Sequence, residues 1–258
     1  MGSALASPRD EPLNPELAEA HSSLGLIQLY YDWDFPEAER SLRRAFEINP
    51  NYATAYHWYS VLFMLDGRLD ESMVYMRRAE ELEPLWPNVK RALGSLYFRQ
   101  REYAKAIEKC REALDLDPNL VSAQVCLTRS YEQKGLYQEA IAELQKVKEI
   151  ATRQAEFTAM TARAAVLAGR NSEAKQLVKD LEDFSVKSHV PAYHLALAYA
   201  GLGDKEATLS WLEKALAERS VQILGLSGDP RFDLLHEDAR FEALVRKLPA
   251  LDRSEPVG

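Results

Sequence analysis

The stretches FEINPNYATA (46–55), EELEPLWPNV (80–89) and LDLDPNLVSA (114–123) place Pro50, Pro84 and Pro118 at one constant interval, each just after an apolar and acidic helix end. A fixed period of about 34 residues marks a chain built from stacked supersecondary units. Counting back from each proline, small residues recur at two offsets: Ala38 and Ala45, Ser72 and Ala79, Ala106 and Ala113. Small side chains let two helices approach closely. Earlier in each unit stands Gly25, Ser60 or Gly94, followed by an aromatic at Phe63 or Tyr97 and a turn such as DGRLDE or GLYQEA. Each unit reads as helix, short turn, helix, proline-ended turn.

This pattern resembles the tetratricopeptide repeat family, in which a helix pair of about 34 residues carries small residues and a late proline at set positions. The unit from Pro87 to Leu120 matches best, with Gly94, Tyr97, Tyr103, Ala106, Ala113 and Pro118 in place. The next, from Val121, keeps Tyr131, Gly135, Tyr137 and Ala140 but loses the proline. Two degenerate units follow, one around Gly169 and Ala174, the other around Tyr199, Gly203 and Ala215. The first unit carries one extra residue in the turn YYDWDFPEAE (30–39), where Pro36 suits the first turn of a second helix.

The resemblance implies an all-α, right-handed superhelical solenoid of about six helix hairpins, the usual form of such repeat arrays. Residues 15–220 are expected to form it, after a disordered N-terminus over 1–14, where Met1-Gly2-Ser3 reads as a cloning remnant. Residues 221–250 are expected to be a C-terminal helical cap and 251–258 a flexible tail. In that cap Phe241, Leu244, Val245 and Leu248 fall at i, i+3, i+4 and i+7 on one helical face. A stack also needs an end piece with a polar outer side. The closing segment further resembles that of bacterial multi-repeat proteins with an amino-terminal winged-helix, kinase or cyclase module. The expectation is therefore the sensing part of a larger bacterial regulatory protein.

Composition removes several function classes. A net charge of −8 argues against a nucleic-acid binder. No run approaches the roughly 18 apolar residues of a membrane span, so a soluble, cytoplasmic protein without membrane insertion is expected. Cys110 and Cys126, sixteen apart, form neither a CxxC pair nor a disulfide framework; they read as small buried hydrophobes in a reducing compartment. The histidines at 21, 57, 189, 194 and 236 match no HExxH spacing, and His189 and His194 lie about 140° apart around a helix. No GxxxxGK[ST] occurs either. No enzyme, metal or cofactor is expected.

The family resemblance implies that the first helix of each unit lines a concave groove that binds a protein or peptide. Its groove positions select Tyr30, His57, Met64, Arg91, Phe98, Arg99, Arg129, Gln133, Arg163 and Tyr193. Four arginines over three consecutive units of an acidic protein favour an acidic partner segment lying along units three to five. Internal pairing of those arginines with Glu102, Glu132 or Glu156 is the competing reading. The carboxylate clamp that grips chaperone tails is not carried over, because Ser22, Leu26 and Ala92 stand where it wants lysine and asparagine. A structural, weakly self-associating module that positions a fused domain is the alternative function. An enzyme or small-molecule sensor using an inner pocket around Tyr193 and His194 is a third.

Overall fold

The computed structural model describes residues 17–147, 154–187 and 190–251. The tail and N-terminal expectations, and His189, lie largely outside them. Six helix pairs follow in order: α1 (Ala18–Ile27) with α2 (Phe35–Ile48), α3 (Ala53–Asp66) with α4 (Leu69–Leu82), α5 (Pro87–Arg99) with α6 (Tyr103–Leu116), α7 (Val121–Gln133) with α8 (Tyr137–Val147), α9 (Gln154–Leu167) with α10 (Asn171–Lys187), and α11 (Ala192–Leu202) with α12 (Lys205–Ala217). Two 3-10 stretches, Val221–Gly228 and Pro230–Leu235, and a short α13 (Ala239–Val245) complete the chain. The architecture is the right-handed helical solenoid that the family resemblance implies, without strands among the described residues.

The period is also written in the backbone. Trp33, Gly67, Arg101, Gly135, Gly169 and Gly203 all have positive φ, each one repeat length after the one before, at the turn between the helices of a pair. Glycine suits that turn because it has no Cβ to clash in the left-handed region. The fifth and sixth units thus keep the period strictly where their side chains had drifted. The extra residue of the first unit sits inside the first helix rather than in the turn. There α1 runs into a π turn, Gln28–Asp32, closed by the Asp34 N–H donating to the Gln28 carbonyl at 2.9 Å. A π turn absorbs one residue within a helix, so Trp33 stays a single repeat length ahead of Gly67.

The first helices α1, α3, α5 and α7 touch in succession, as do α9 and α11, and the Arg163–Glu132 pair joins α7 to α9, while each second helix packs chiefly against the first helices on either side. This row of first helices is the inner side, on which the 3-10 stretches meet α3 and α11. Close approach within a pair depends on the small residues. Ser60 and Ser72 meet between α3 and α4, each hydroxyl donating to the other residue's carbonyl, at 2.6 and 2.7 Å.

At the equivalent place in the next pair, a Cβ on Gly94 would lie 2.5 Å from the Cys110 Sγ and 3.0 Å from the Cys126 Sγ. Both cysteines are buried as expected, but the structure joins them in a disulfide between α6 and α7. Sequence spacing missed that pairing because the repeat brings the two helices together on either side of the Gly94 gap. Gly94→Ala is expected to cost about 1–3 kcal/mol by overpacking, read as a lower denaturation midpoint in urea with an unchanged slope.

Candidate functional site on the inner face

The inner face is occupied by the chain's own C-terminal segment. Within the stretch expected to be an end piece, α13 packs on α12, whereas Val221–Gly228 turns inward against α3. Ile223, Leu226, Phe232 and Leu235 are fully buried in the same core cluster as Tyr193 and Leu197 of α11. Leu224 joins Leu62 and Leu96 in the other large core cluster. The superhelix also closes on itself: Arg219 donates to the Asp32 carbonyl at 2.6 Å and covers the Trp33 ring at 5.0 Å. Near the end of the described chain, the Leu251 N–H donates to Asp66 at 2.8 Å.

Polar contacts fix this segment on the groove positions themselves. Arg99 donates to the Gly225 carbonyl at 3.0 Å. A Cβ on Gly225 or Gly228 would fall 2.0 or 2.7 Å from the Arg99 guanidinium nitrogens, so the two glycines let the chain wrap around it. Arg101 forms a two-pronged pair with Asp233, at 2.6 and 2.9 Å. Tyr193 donates to Asp229 at 3.2 Å, and Asp229 is gripped by Arg231 at 2.6 Å. Burial works to raise the Asp229 carboxyl, but Arg231, Arg99 and Arg129 together outweigh it and hold it well below the usual carboxylate range.

The four groove arginines divide into two kinds. Arg163 is buried and paired with Glu132 at 3.1 Å, and it also reaches the Arg231 carbonyl at 3.4 Å. Burial pushes the Glu132 carboxyl up, with Arg163 opposing. Gly201 makes room for this pair, since a Cβ there would lie 2.8 Å from the Arg163 backbone. Arg163 is therefore a packing ion pair rather than an open groove contact.

Arg91, Arg99 and Arg129 form no ion pair with a carboxylate among the described residues. Arg129 donates to the Ser95 hydroxyl at 2.7 Å and lies over the Phe98 ring at 4.4 Å. Arg91, Ser95 and Arg99 stand four residues apart on α5, hence on one helical face. The Arg129 guanidinium is thus seated one turn from each of the other two. Burial, then the charges of Arg231, Arg99 and Arg91, push its pKa down to about 9, with Asp229 opposing.

His57 of α3 stands one repeat length before Arg91 and is only 1% exposed. It packs between Trp58 and Trp86 at 4.5 and 5.2 Å, with neither ring nitrogen hydrogen-bonded among the described residues. Burial and Arg91 push its pKa down to about 3, so it is neutral. Burial raises Tyr30 to about 12, against Arg91 and Arg99. Met64 and Phe98 are buried in core clusters, and Gln133 is half-buried.

Ser95, Asp229 and Arg231 escaped sequence reading. Ser95 had a signal, since it stands one repeat length before Arg129 on the preceding inner helix. Asp229 and Arg231 had none, because SGDPR reads equally well as a turn in an end piece.

These features define a helical-repeat solenoid with a charged inner face. Models of the tetratricopeptide repeat family match residues 27–88 and 87–120, and this part of the chain is built of such repeats. The Hsp70-Hsp90 organizing protein 1 of Glycine max is 30% identical over 111 residues, which is 43% of this chain and 19% of that protein. The chain thus spans about a fifth of the relative's length. Among solved structures, a tetratricopeptide repeat protein of Parabacteroides merdae superposes with a TM-score of 0.64 at 18% identity, covering 84% of this chain and 86% of that one. PilF of Pseudomonas aeruginosa gives 0.58 at 20% identity, covering 81% and 95%. These likenesses establish the fold.

Proposed function

We propose that this chain is a protein-interaction scaffold whose inner face recognises an acidic group on a partner, as the regulatory part of a larger bacterial protein. The observation that carries the reading is the trio Arg91, Arg99 and Arg129, none in a salt bridge with a carboxylate among the described residues and only Asp229 within electrostatic reach of Arg99 and Arg129, in a chain of net charge −8. Buried charge that is not compensated is costly, and arginine forks suit carboxylates and phosphates. The partial resemblance to a chaperone-organising protein supports partner binding in general, whereas the residues of the chaperone-tail clamp are absent.

The occupied groove changes how a partner would engage. Expelling Ile223, Leu224, Leu226, Phe232 and Leu235, all buried, would cost roughly 8–15 kcal/mol at about 1.5–3 kcal/mol per side chain. A micromolar peptide supplies only about 8 kcal/mol. A long segment lying along units three to five is therefore replaced by an acidic group reaching Arg91, Arg99 and Arg129, which keep partial exposure.

Fluorescence anisotropy with acidic, neutral and basic peptides tests this. Acidic peptides are expected to bind with an affinity that falls with salt, and the double change Arg91→Gln and Arg129→Gln should weaken them at least tenfold. Binding that ignores peptide charge, or survives the double change, would contradict it.

A further inference from the structure

We propose that Arg91, Arg99, Arg129 and His57 form a site for a phosphoryl-type oxyanion, enclosed between α3, α5, α7 and the C-terminal segment. This rests on the acidic-partner reading and specifies the group recognised. Three facts of geometry carry it.

The first is convergence. Arg91 and Arg99 flank Ser95 on one face of α5, and the Arg129 guanidinium is bonded to Ser95 between them. His57 comes from the matching position of α3. One side is closed by the C-terminal segment, through the Arg99 bond to the Gly225 carbonyl.

The second is unused hydrogen-bonding capacity. The Nε atoms of Arg91 and Arg129 and both ring nitrogens of His57 are buried without a hydrogen-bond partner among the described residues. Buried polar atoms left without partners are uncommon, and an ion is one of the standard reasons for them.

The third is charge. Around the site stand Arg91, Arg99, Arg129, Arg163 and Arg231 against Glu132 and Asp229, five positive groups to two negative. Glu132 is paired with Arg163 and Asp229 with Arg231, Asp229 also partly countering Arg99 and Arg129. A single carboxylate would leave two of the remaining three charges unmatched. A phosphoryl dianion leaves one, and its several oxygens can accept from more than one fork at once. Neutral His57 has one N–H to donate.

The test is a thermal-shift and calorimetric titration of the full chain with inorganic phosphate, against chloride at matched ionic strength. Phosphate is expected to raise Tm saturably, chloride not at all, and binding should weaken at least tenfold in Arg129→Gln. Arg246→Gln, on an exposed arginine paired among the described residues only with Glu242, should leave it unchanged. Arg91→Lys and Arg129→Lys guard against a folding defect: each keeps a charge and a long stem but loses the fork, and an intermediate affinity is expected.

A serine-phosphorylated peptide and its unphosphorylated form distinguish the source. Tenfold tighter binding of the phosphopeptide than of free phosphate assigns the group to a partner chain; equal binding assigns it to the free ion. Equal shifts with phosphate and chloride would overturn the proposal. If acidic peptides then still bind through Arg91 and Arg129, the scaffold reading stands and only the phosphoryl assignment falls. If they do not, both fall.

Discussion

Phe232→Ala is expected to lower the unfolding free energy by about 3–5 kcal/mol, the range for removing a fully buried aromatic ring, and Tm by roughly 10 °C. Phe232 is completely buried and meets the Tyr193 ring of α11 edge-on, with centroids 5.7 Å apart. It lies in a segment outside the repeats, so the size of the loss reports whether that segment belongs to the core. If Pro230–Leu235 were a loosely docked tail, truncating Phe232 would cost well under about 1 kcal/mol, because the tail would detach while the helix pairs stayed folded. Urea denaturation followed by far-ultraviolet circular dichroism separates the two outcomes.

The second large effect is on pH. His57 has an ordinary pKa near 6.5 when unfolded and is pushed down to about 3 in the folded protein, by burial and then by Arg91. Below pH 6.5 the unfolded chain takes up a proton that the folded chain refuses, so stability falls as pH falls through that window. From pH 7 to pH 4 the loss from this one residue is on the order of 3 kcal/mol. His57→Phe keeps a ring between Trp58 and Trp86 and has nothing to protonate. Its stability should fall less steeply over the same range, by about one proton's worth of slope. Identical slopes for the two proteins would contradict the assignment of a neutral, enclosed imidazole.

Much of the scaffold was legible because the repeat writes the same demand many times. Pro50, Pro84 and Pro118 fix the period, the small residues mark where helices must touch, and inner-helix positions follow by counting. Two places defeated counting. Cys110 and Cys126 lie in different helix pairs and meet only because Gly94 leaves space between them, which is a property of packing rather than spacing.

The C-terminal segment is the larger case. Residues 220–235 carry neither the period nor a clear helical stripe, and an apolar stretch after a repeat array looks the same whether it covers the stack's end or enters its groove. Only the closing of the superhelix, with Arg219 against Trp33 and Arg99 against Gly225, decides it. The groove arginines were readable one by one. That Arg163 would be spent on Glu132 while Arg91, Arg99 and Arg129 would not was a matter of geometry.

Hydrogen exchange of the full chain, read by mass spectrometry with and without a saturating acidic peptide, tests most directly the claim that the inner face is shared between the C-terminal segment and an acid-reading arginine cluster. The account predicts that residues 221–235 exchange as slowly as α5 and α7, and that the peptide adds protection in α5 and α7 without releasing that segment. Exchange of 221–235 at the rate of free chain, or protection gained only away from α5 and α7, would contradict it.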